Sequence, residues 1–320
     1  MTEKLTSNRV KKITQHIYDL PALPTTVAKI IELVDHPQTS AQTLSGIISS
    51  DQVLTAQILK LANSAYYGFP RKISTVPLAI VVIGLETLKN LVLSVSVIDR
   101  FSRYQHAMPF DVYLFWEHAI GTAVASRMLA KDEHYQISGE VFAAGLLHDL
   151  GKYIMSLYFK DDFSKVVTRM IDEDLPMYQI EKQVFPEIHH AQIGAWLVEK
   201  WNFPEPIKMG IHYHHEPQLS EEHQKLAWLL HFGDYLTKKL GIGYSGDMST
   251  PRYNPELTET LRLKKNETGE VDEDYYLKRL ETEIEQEPSL FILARQYHEN
   301  GHFPKPSPHF QHQQLAGIQG

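Results

Sequence analysis

The sequence predicts an all-α protein, and three observations support this fold class. Apolar residues recur at helical spacing along most of the 320 residues, as the amphipathic faces of helices require. We find no sustained alternation of apolar and polar residues of the kind that predicts strands. Proline, glycine and capping residues divide the chain into segments of helical length. With 43% apolar and 22% charged residues, the composition is that of a folded chain with a sizeable core.

The first third of the chain is predicted to form a series of short helices. They cover residues 5–20, 24–36, 41–48, 52–67, 75–83 and 85–101. Ser40 and Asp51 stand where N-cap residues belong, because their side chains can accept a hydrogen bond from the first turn. Gly84 is predicted to break the helix that contains it.

The remainder of the chain is predicted to form longer helices that end in a loop and a tail. These helices cover residues 111–130, 139–148, 151–159, 161–174, 176–185, 187–201, 204–214, 222–240 and 272–297. Residues 241–271 have no apolar period and predict a long, mobile loop. We therefore expect an N-terminal helical domain over residues 1–105 and a second helical domain over 106–300, which includes the loop and a C-terminal helix. Residues 301–320 are predicted to be a disordered tail.

Composition excludes several classes of function. The chain has no cysteine, which excludes disulfides, thiolate zinc sites and cysteine nucleophiles. A net charge of −8 disfavours nonspecific binding to nucleic acid. The most apolar stretch, 76–97, is interrupted by Glu86, Lys89 and Asn90 and predicts a buried helix pair without membrane insertion. The N-terminus has no apolar core of a secretion signal, so we expect a cytoplasmic protein.

Histidine is the informative residue type. The chain has 17 histidines, of which seven lie between residues 189 and 231. A single histidine is usually a surface residue or a satisfied core residue, so the arrangement matters more than the number. The residues that stand beside apolar neighbours or at predicted helix ends are His118, His148, Asp149, His190, His214, His215 and Asp234.

This set predicts a metal site. Imidazole and carboxylate groups together suit iron, manganese, zinc or nickel. A shared carboxylate could hold two such ions close enough to activate one water molecule, so we expect one or two divalent ions. The alternative is a buried network of His–Asp hydrogen bonds without metal.

Several segments resemble known families. LLHDLGK (146–152) is an HD motif, and the candidate ligands resemble, in order, the ligand motifs of the HD phosphohydrolase superfamily. The segments LPALPTTVAKIIELV (20–34), ISSDQVLTAQILKLANSAYYG (48–68) and STVPLAIVVIGLETLKNLVLS (74–94) resemble the HDOD family, the HD-related output domain of bacterial signalling proteins. The resemblance covers roughly residues 15–240.

The resemblance implies a residue assignment. One ion would lie among His118, His148, Asp149 and Asp234. A second ion would lie among Asp149, His190, His214 and His215. Lys152 matches the motif lysine that approaches a phosphate, and Lys152 and Asp149 would be the catalytic residues of an active enzyme.

The resemblance also implies a function. HDOD proteins are all-helical regulatory modules that have often lost ligands, whereas here every HD-type ligand position is filled. We therefore expect a bacterial signal-transduction module with a metal-binding pocket, which acts through other signalling proteins and binds a ligand such as a nucleotide or phosphate, without efficient catalysis. The alternative is a metal-dependent phosphohydrolase that acts on a nucleotide or cyclic dinucleotide. The related HD-GYP enzymes carry a Gly-Tyr-Pro loop where this chain reads Pro217-Gln218-Leu219-Ser220, which disfavours cyclic-di-GMP as the substrate.

Overall fold

The predicted fold class is confirmed. The computed structural model describes residues 29–30, 33, 40–64, 69, 72–102, 109–135, 138–186, 188–247, 249 and 252–297. Within these ranges all regular elements are helices, and the β-type pairing is one isolated bridge between Lys265 and Val271. The predicted helix 5–20, the tail 301–320 and the domain boundary after residue 105 lie outside the described residues. The division into two domains therefore stays a prediction.

Four helices form the described N-terminal part. They are α1 (Ala41–Ser49), α2 (Gln52–Ala62), α3 (Val76–Ile83) and α4 (Leu85–Ser102). Ser40 and Asp51 cap α1 and α2 as predicted, since their side chains accept hydrogen bonds from the backbone nitrogens of Thr43 and Leu54. The predicted break at Gly84 is also present, and α3 and α4 meet there at 114°.

No single helix among the described residues is long and apolar enough to cross a membrane; α3 and α4 meet the length and composition criteria only as a bent pair. Most apolar side chains of this pair are buried inside the protein, including Ala79, Leu88, Leu91 and Val92. Asn63 anchors the start of the segment that leads into α3. Its side chain donates to the backbone oxygen of Ile73 at 2.7 Å and accepts from the nitrogen of Ile73 at 2.8 Å.

The second part of the chain surrounds one almost fully buried helix. This helix is α5 (Val112–Asp132), and α6, α12, α14 and α15 pack against it. The other helices are α6 (Ser138–Leu147), α7 (Leu150–Tyr158), α8 (Lys160–Glu173), α9 (Met177–Val184), α10 (His190–Lys200), α11 (Glu205–Tyr213), α12 (Gln224–Lys239), α13 (Leu257–Thr260), α14 (Glu273–Gln286) and α15 (Pro288–Tyr297). A 3₁₀ turn, Pro217–Leu219, lies between α11 and α12.

Two helix predictions in this part were wrong, and the predicted loop is partly ordered. The helix predicted over 272–297 is two helices, because a residue that precedes proline is disfavoured in the α conformation and Glu287 precedes Pro288. The segment 241–271, predicted to be a long loop, has little regular structure in its described residues, but it contains α13 and buries the side chains of Leu257 and Leu261. The helix predicted over 187–201 begins at His190, after an extended residue.

The two parts of the chain are in direct contact. The hydroxyl of Tyr153 in α7 donates a buried hydrogen bond to the backbone oxygen of Phe101 in α4, at 2.6 Å. The rings of Phe101 and Tyr153 also meet edge to face, with centroids 5.2 Å apart. Because α7 begins one residue after Asp149, this contact lies close to the predicted site.

Candidate metal centre

The structure brings all seven predicted ligands together at one buried centre. His118 lies in the middle of α5, and Asp234 lies in α12. His148 and Asp149 form the turn between α6 and α7. His190 is the first residue of α10, and His214 and His215 follow α11. Six elements therefore converge on the centre, which is why no local pattern could establish the proximity.

One half of the centre contains His118, His148 and the two aspartates. Nε2 of His118 lies 2.9 Å from Oδ1 of Asp234 and 4.0 Å from Oδ2 of Asp149. Nε2 of His148 lies 3.3 Å from Oδ2 of Asp149 and 3.8 Å from Oδ1 of Asp234. These are the four residues that the resemblance groups around one ion.

The other half contains Asp149 and the remaining histidines. Oδ1 of Asp149 lies 3.3 Å from Nε2 of His190 and 3.8 Å from Nε2 of His214. Nε2 of His215 lies 2.9 Å from Nε2 of His190. Asp149 thus directs one oxygen to each half, as a bridging carboxylate would.

The spacing of these atoms fits metal ligation. In each of two groups, Asp149 with His190, His214 and His215 and Asp149 with His118 and His148, the ligand atoms lie within 4.8 Å of one another. Ligands at 2.0–2.1 Å from a tetrahedral ion are roughly 3.4 Å apart, and opposite ligands of an octahedral ion are roughly 4.2 Å apart. The observed separations lie close to this range, so small side-chain movements would suffice to close the groups around ions.

Buried polar atoms without a hydrogen bond lie at the same centre. Among the described residues, four buried atoms of the centre make no hydrogen bond of acceptable geometry: Nε2 of His148, Nε2 of His214, Oδ1 of Asp149 and Oδ1 of Asp234. A buried polar atom left without a partner costs about 1–3 kcal/mol. A cation placed between four such atoms, which face one another, would satisfy them.

Hydrogen bonds outside the centre direct the Nε2 atoms inward. Nδ1 of His148 donates to the backbone oxygen of Gly145, and Nδ1 of His214 donates to that of Ile211, both at 2.7 Å. With the proton on Nδ1, the Nε2 atom of a neutral imidazole has its lone pair free for a metal. This tautomer follows from the hydrogen bonds.

Glu181 holds the third imidazole and was not predicted from the sequence. This completely buried residue of α9 accepts from Nδ1 of His190 at 2.6 Å and from the backbone nitrogen of His190 at 3.0 Å. Burial lowers the pKa of His190, but the Glu181 carboxylate outweighs it and the net pKa is raised. The sequence does indicate that Glu181 is buried, because this acidic residue falls on the apolar stripe of Met177, Ile180 and Val184.

Two lysines neutralise the two aspartates. Nζ of Lys152 lies 2.7 Å from Oδ2 of Asp149, and Nζ of Lys238 lies 2.8 Å from Oδ2 of Asp234. Burial would raise the pKa of Asp149, but His148 and Lys152 hold it well below its usual value. Lys238 and His118 likewise outweigh burial and hold the pKa of Asp234 well below its usual value. Lys152 was predicted from the HD motif, whereas Lys238 was missed.

Burial keeps most imidazoles of the centre neutral. It lowers the pKa of His118, although Asp234 partly opposes the effect. It lowers the pKa of His214 and His215 much further, with the neighbouring histidines acting in the same direction. Neutral imidazole is the form that binds a metal, so burial favours the binding form.

A segment after α12 forms one wall of the centre. The backbone nitrogen of Tyr244 donates to the oxygen of Leu114 at 2.8 Å, and Lys152 donates to the hydroxyl of Ser245 at 3.4 Å. Gly243, with φ of +62°, lies so close to α5 that a Cβ there would be 2.2 Å from the nitrogen of His118. This wall lies within the region predicted to be a loop. Its position beside the centre depends on contacts with α5 and Lys152, which are distant in the sequence.

Glycine is also required in the HD motif. A Cβ on Gly151 would lie 1.8 Å from the backbone oxygen of His190. The absence of a side chain therefore lets the first turn of α7 contact the first turn of α10, which places Asp149 next to His190.

An all-helical fold that gathers histidines and aspartates around an HD turn defines a protein of the HD type. The family model of the HDOD domain matches residues 20–217, which is more than half of the chain. The chain therefore belongs to the HDOD family, as the sequence segments predicted.

Comparisons with individual proteins agree with this assignment. A protein of Treponema pallidum (strain Nichols), described as an "Uncharacterized protein", is 27% identical over 231 residues; the match covers 72% of this chain and 44% of that protein. The chain thus spans less than half the length of this relative. An HDOD domain protein of unknown function from Geobacter sulfurreducens has a similar structure, with a TM-score of 0.71, 24% identity and coverage of 88% of this chain and 97% of that one.

Two further solved structures share the fold. A "Putative signal transduction protein" from Marinobacter aquaeolei VT8 has a TM-score of 0.72 and 21% identity, over 92% of this chain and 66% of that one. A "Putative phosphohydrolase" from Shewanella amazonensis SB2B has a TM-score of 0.64 and 23% identity, over 88% of this chain and 97% of that one. At these identities the similarity establishes the fold alone.

Proposed function

We propose that this protein is a bacterial signalling module of the cytoplasm whose HD-type pocket binds one or two divalent ions of iron, manganese, zinc or nickel. The observation that carries the proposal is the set of four buried, unsatisfied Nε2 and Oδ1 atoms that face one another. A hydrogen-bond network without metal would have to satisfy these atoms. Among the described residues their contacts, which include Nε2 of His118 at 2.9 Å from Oδ1 of Asp234, do not have hydrogen-bond geometry.

Each ion would have its own set of ligands. His118, His148, Asp149 and Asp234 would hold one ion, and Asp149, His190, His214 and His215 would hold the other. When bound, such ions supply a Lewis acid that polarises a phosphoryl oxygen or lowers the pKa of a water molecule. The protein would contribute fixed tautomers through the Nδ1 hydrogen bonds and a charged contact from Lys152.

The output would pass through the N-terminal helices to other signalling proteins. The Tyr153–Phe101 hydrogen bond supports this path, because α7 carries both Lys152 and Tyr153 and begins next to Asp149. Movement of Asp149 on metal binding would shift the start of α7, and the shift would reach the end of α4 through this bond.

Hydrogen exchange tests this path. Addition of Mn²⁺, Ni²⁺ or Zn²⁺ to the chelator-treated protein is expected to slow amide exchange in the last two turns of α4. Tyr153→Phe should bind the same amount of metal, yet lose most of the change in α4. Unchanged exchange in α4 of the wild-type protein, despite full metal uptake, would overturn the proposed path.

A second candidate function is metal-dependent hydrolysis of phosphoesters. The specific observation that favours it is the complete set of ligand positions together with the Lys152 ammonium, 2.7 Å from Asp149. Bound ions would supply Lewis-acid chemistry and an activated water, and the Lys152 ammonium would stabilise negative charge on the phosphoryl group. The missing Gly-Tyr-Pro loop disfavours cyclic-di-GMP, so the screen should cover other nucleotides and cyclic nucleotides.

A hydrolysis screen separates the two candidates. Metal-loaded wild-type protein and Asp149→Ala would be incubated with nucleoside phosphates, cyclic nucleotides and bis(p-nitrophenyl) phosphate. A regulatory module predicts equal, background rates for both proteins although only the wild type contains metal. Turnover that requires both metal and Asp149 would establish the hydrolase.

A further inference from the structure

His215 differs from its neighbours in the centre in how its ring is held. Nδ1 of His148 and Nδ1 of His214 bond to backbone oxygens, and Nδ1 of His190 bonds to Glu181. Among the described residues no such bond holds Nδ1 of His215, and this side chain is partly exposed whereas the other three are buried. For Nε2 of His215 to be held ready for a metal, another contact has to fix the ring.

The ring of Tyr178 in α9 makes this contact. It is stacked on the imidazole of His215, with the centroids 4.5 Å apart and an angle of 26° between the planes. The rings of His190 and His214 also lie against His215, but these two residues are candidate ligands themselves. Tyr178 therefore supports the imidazole from outside the set of ligands.

Hydrogen bonds hold Tyr178 in place. Its hydroxyl donates to Oε2 of Glu216 at 2.7 Å, and Nζ of Lys182 donates to both carboxylate oxygens of Glu216, each at 2.7 Å. Nζ of Lys182 also lies 4.7 Å from the centroid of the Tyr178 ring, a cation–π contact. Glu216 directly follows His215 in the chain, so Tyr178 is tied to the same stretch of backbone as the imidazole on which it stacks.

One helix thus supports two neighbouring imidazoles. Tyr178 and Glu181 are three residues apart in α9, so their side chains lie on the same face of the helix. Glu181 holds His190 and Tyr178 packs against His215, and the Nε2 atoms of these two histidines are 2.9 Å apart. Both contacts belong to the same half of the centre, whereas His118 belongs to the other half.

We infer that Tyr178 is a positioning residue that determines whether the half of the centre with His215 holds an ion, and that the half with His118 fills independently of it. This inference rests on the metal site of the proposed function and concerns the choice between one ion and two. A ring that is already restrained loses less freedom when its Nε2 atom binds a metal, so the stack favours binding. Tyr178 acts only through His215, because its own hydroxyl is bonded to Glu216.

Metal titration tests the inference. Mn²⁺ and Zn²⁺ would each be titrated by calorimetry into chelator-treated wild-type protein, Tyr178→Leu, Tyr178→Phe and Tyr213→Leu. His215→Ala serves as the reference, since it removes the ligand itself and shows which binding event belongs to its half. Tyr213 is the matched control, because its ring is stacked in the same way on His212, with centroids 4.4 Å apart and 25° between the planes, and His212 is not a candidate ligand.

The expected result is a loss of affinity in one binding event. Tyr178→Leu should weaken the event that His215→Ala removes by roughly tenfold, which is the lower end of the range for losing a residue that orients a ligand. The other event should be unchanged. Tyr178→Phe should retain most of the affinity, because the ring that stacks on His215 remains. Tyr213→Leu should bind like the wild type, and the helical circular dichroism of all the variants should be the same.

Each other result overturns the inference. Wild-type affinity of Tyr178→Leu in the event that His215→Ala removes would do so, as would metal binding by His215→Ala that equals the wild type; in both cases the metal site stands. Equal weakening of both events by Tyr178→Leu would show a role in the fold alone. Equal losses in Tyr178→Leu and Tyr178→Phe would assign the effect to the hydroxyl and exclude the stack. Absence of metal uptake by the wild type would overturn both the inference and the metal site.

Discussion

Glu181 accepts two hydrogen bonds from His190, one from ring Nδ1 at 2.6 Å and one from the backbone nitrogen at 3.0 Å. The first fixes the ring with Nε2 towards Asp149, and the second fixes the start of α10. A carboxylate behind a metal-binding histidine orients the ring and increases its basicity. Glu181 would therefore support a metal bound at the candidate centre without being one of its ligands.

The first prediction concerns this pair. Glu181→Gln is expected to weaken metal binding by about tenfold to a hundredfold, which is the usual effect of losing such a partner. Competition with a chromophoric chelator measures the affinity. Glu199→Gln is the control, because this glutamate is 57% exposed and pairs with Lys208 away from the centre. Equal affinities of the two variants would show that Glu181 only supports the fold.

The second prediction concerns the ion pair of Asp149 and Lys152. In the presence of a chelator, Asp149→Asn should lower the free energy of unfolding by about 3 kcal/mol, because it leaves the buried Lys152 ammonium without its carboxylate. The double variant Asp149→Asn with Lys152→Met should recover much of this loss, since the unpaired charge is removed. Urea unfolding followed by circular dichroism measures both values. A double variant that is no more stable than the single variant would contradict the explanation.

The third prediction concerns pH. Burial lowers the pKa of His118, His214 and His215 below the ordinary value of 6.5, so these groups gain protons on unfolding at acidic pH. The stability of the metal-free protein should therefore decrease as the pH falls below 6.5, by about 1.4 kcal/mol per pH unit for each net proton.

The contribution of His190 to the pH dependence of stability has the opposite sign. Because its pKa is raised, its contribution is present below 6.5 and is lost as the pH rises through its folded value. The pKa of one histidine of the centre is raised and the pKa values of three are lowered, so the net effect is still a loss of stability as the pH falls. Urea unfolding at pH 7.5, 6.5 and 5.5 with chelator present measures the effect, and equal or greater stability at pH 5.5 would contradict it.

The fourth prediction concerns the wall of the centre. Gly243→Ala introduces a Cβ 2.2 Å from the nitrogen of His118 and 2.3 Å from the oxygen of Leu114, so the segment must move away from α5. Gly241→Ala is the control, because Gly241 also has a positive φ, of +67°, but an added Cβ meets no atom within 4 Å. In both variants the free energy of unfolding should fall by about 1–2 kcal/mol, because alanine is disfavoured in the left-handed conformation. Only Gly243→Ala should lose more stability than this and also bind metal more weakly.

Equal effects of the two substitutions would contradict this account of the wall. Thermal unfolding measures the stability of both variants, and titration with metal measures the affinity. The comparison is informative because the two glycines are two residues apart in the same segment.

Most helices could be predicted because their causes are local. The capping residues Ser40 and Asp51, the break at Gly84 and the apolar stripes act within a few residues. The prediction of one helix over 272–297 was wrong for an equally local reason, since Pro288 disfavours the α conformation at the residue before it and divides the segment into two helices.

The site could be predicted only in part. Buried-looking histidines and aspartates at helix ends, together with the HD motif, identified the seven candidate ligands. Glu181 and Gly243 were missed because their roles depend on which helix lies opposite, and the sequence pattern of one segment contains no such information. Lys238 was missed although its partner Asp234 stands four residues before it in the same helix. Glu181 does have a local signature, because it is an acidic residue on an apolar helical stripe.

Metal content is the measurement that tests the central claim most directly. Wild-type protein and Asp149→Ala would be purified without chelators and without a histidine tag, and their iron, manganese, zinc and nickel would be quantified. The account predicts about one to two equivalents of metal in the wild type and almost none in the variant, with the helical circular dichroism unchanged. Less than about a tenth of an equivalent in the wild type, with no uptake on addition of metal, would contradict it.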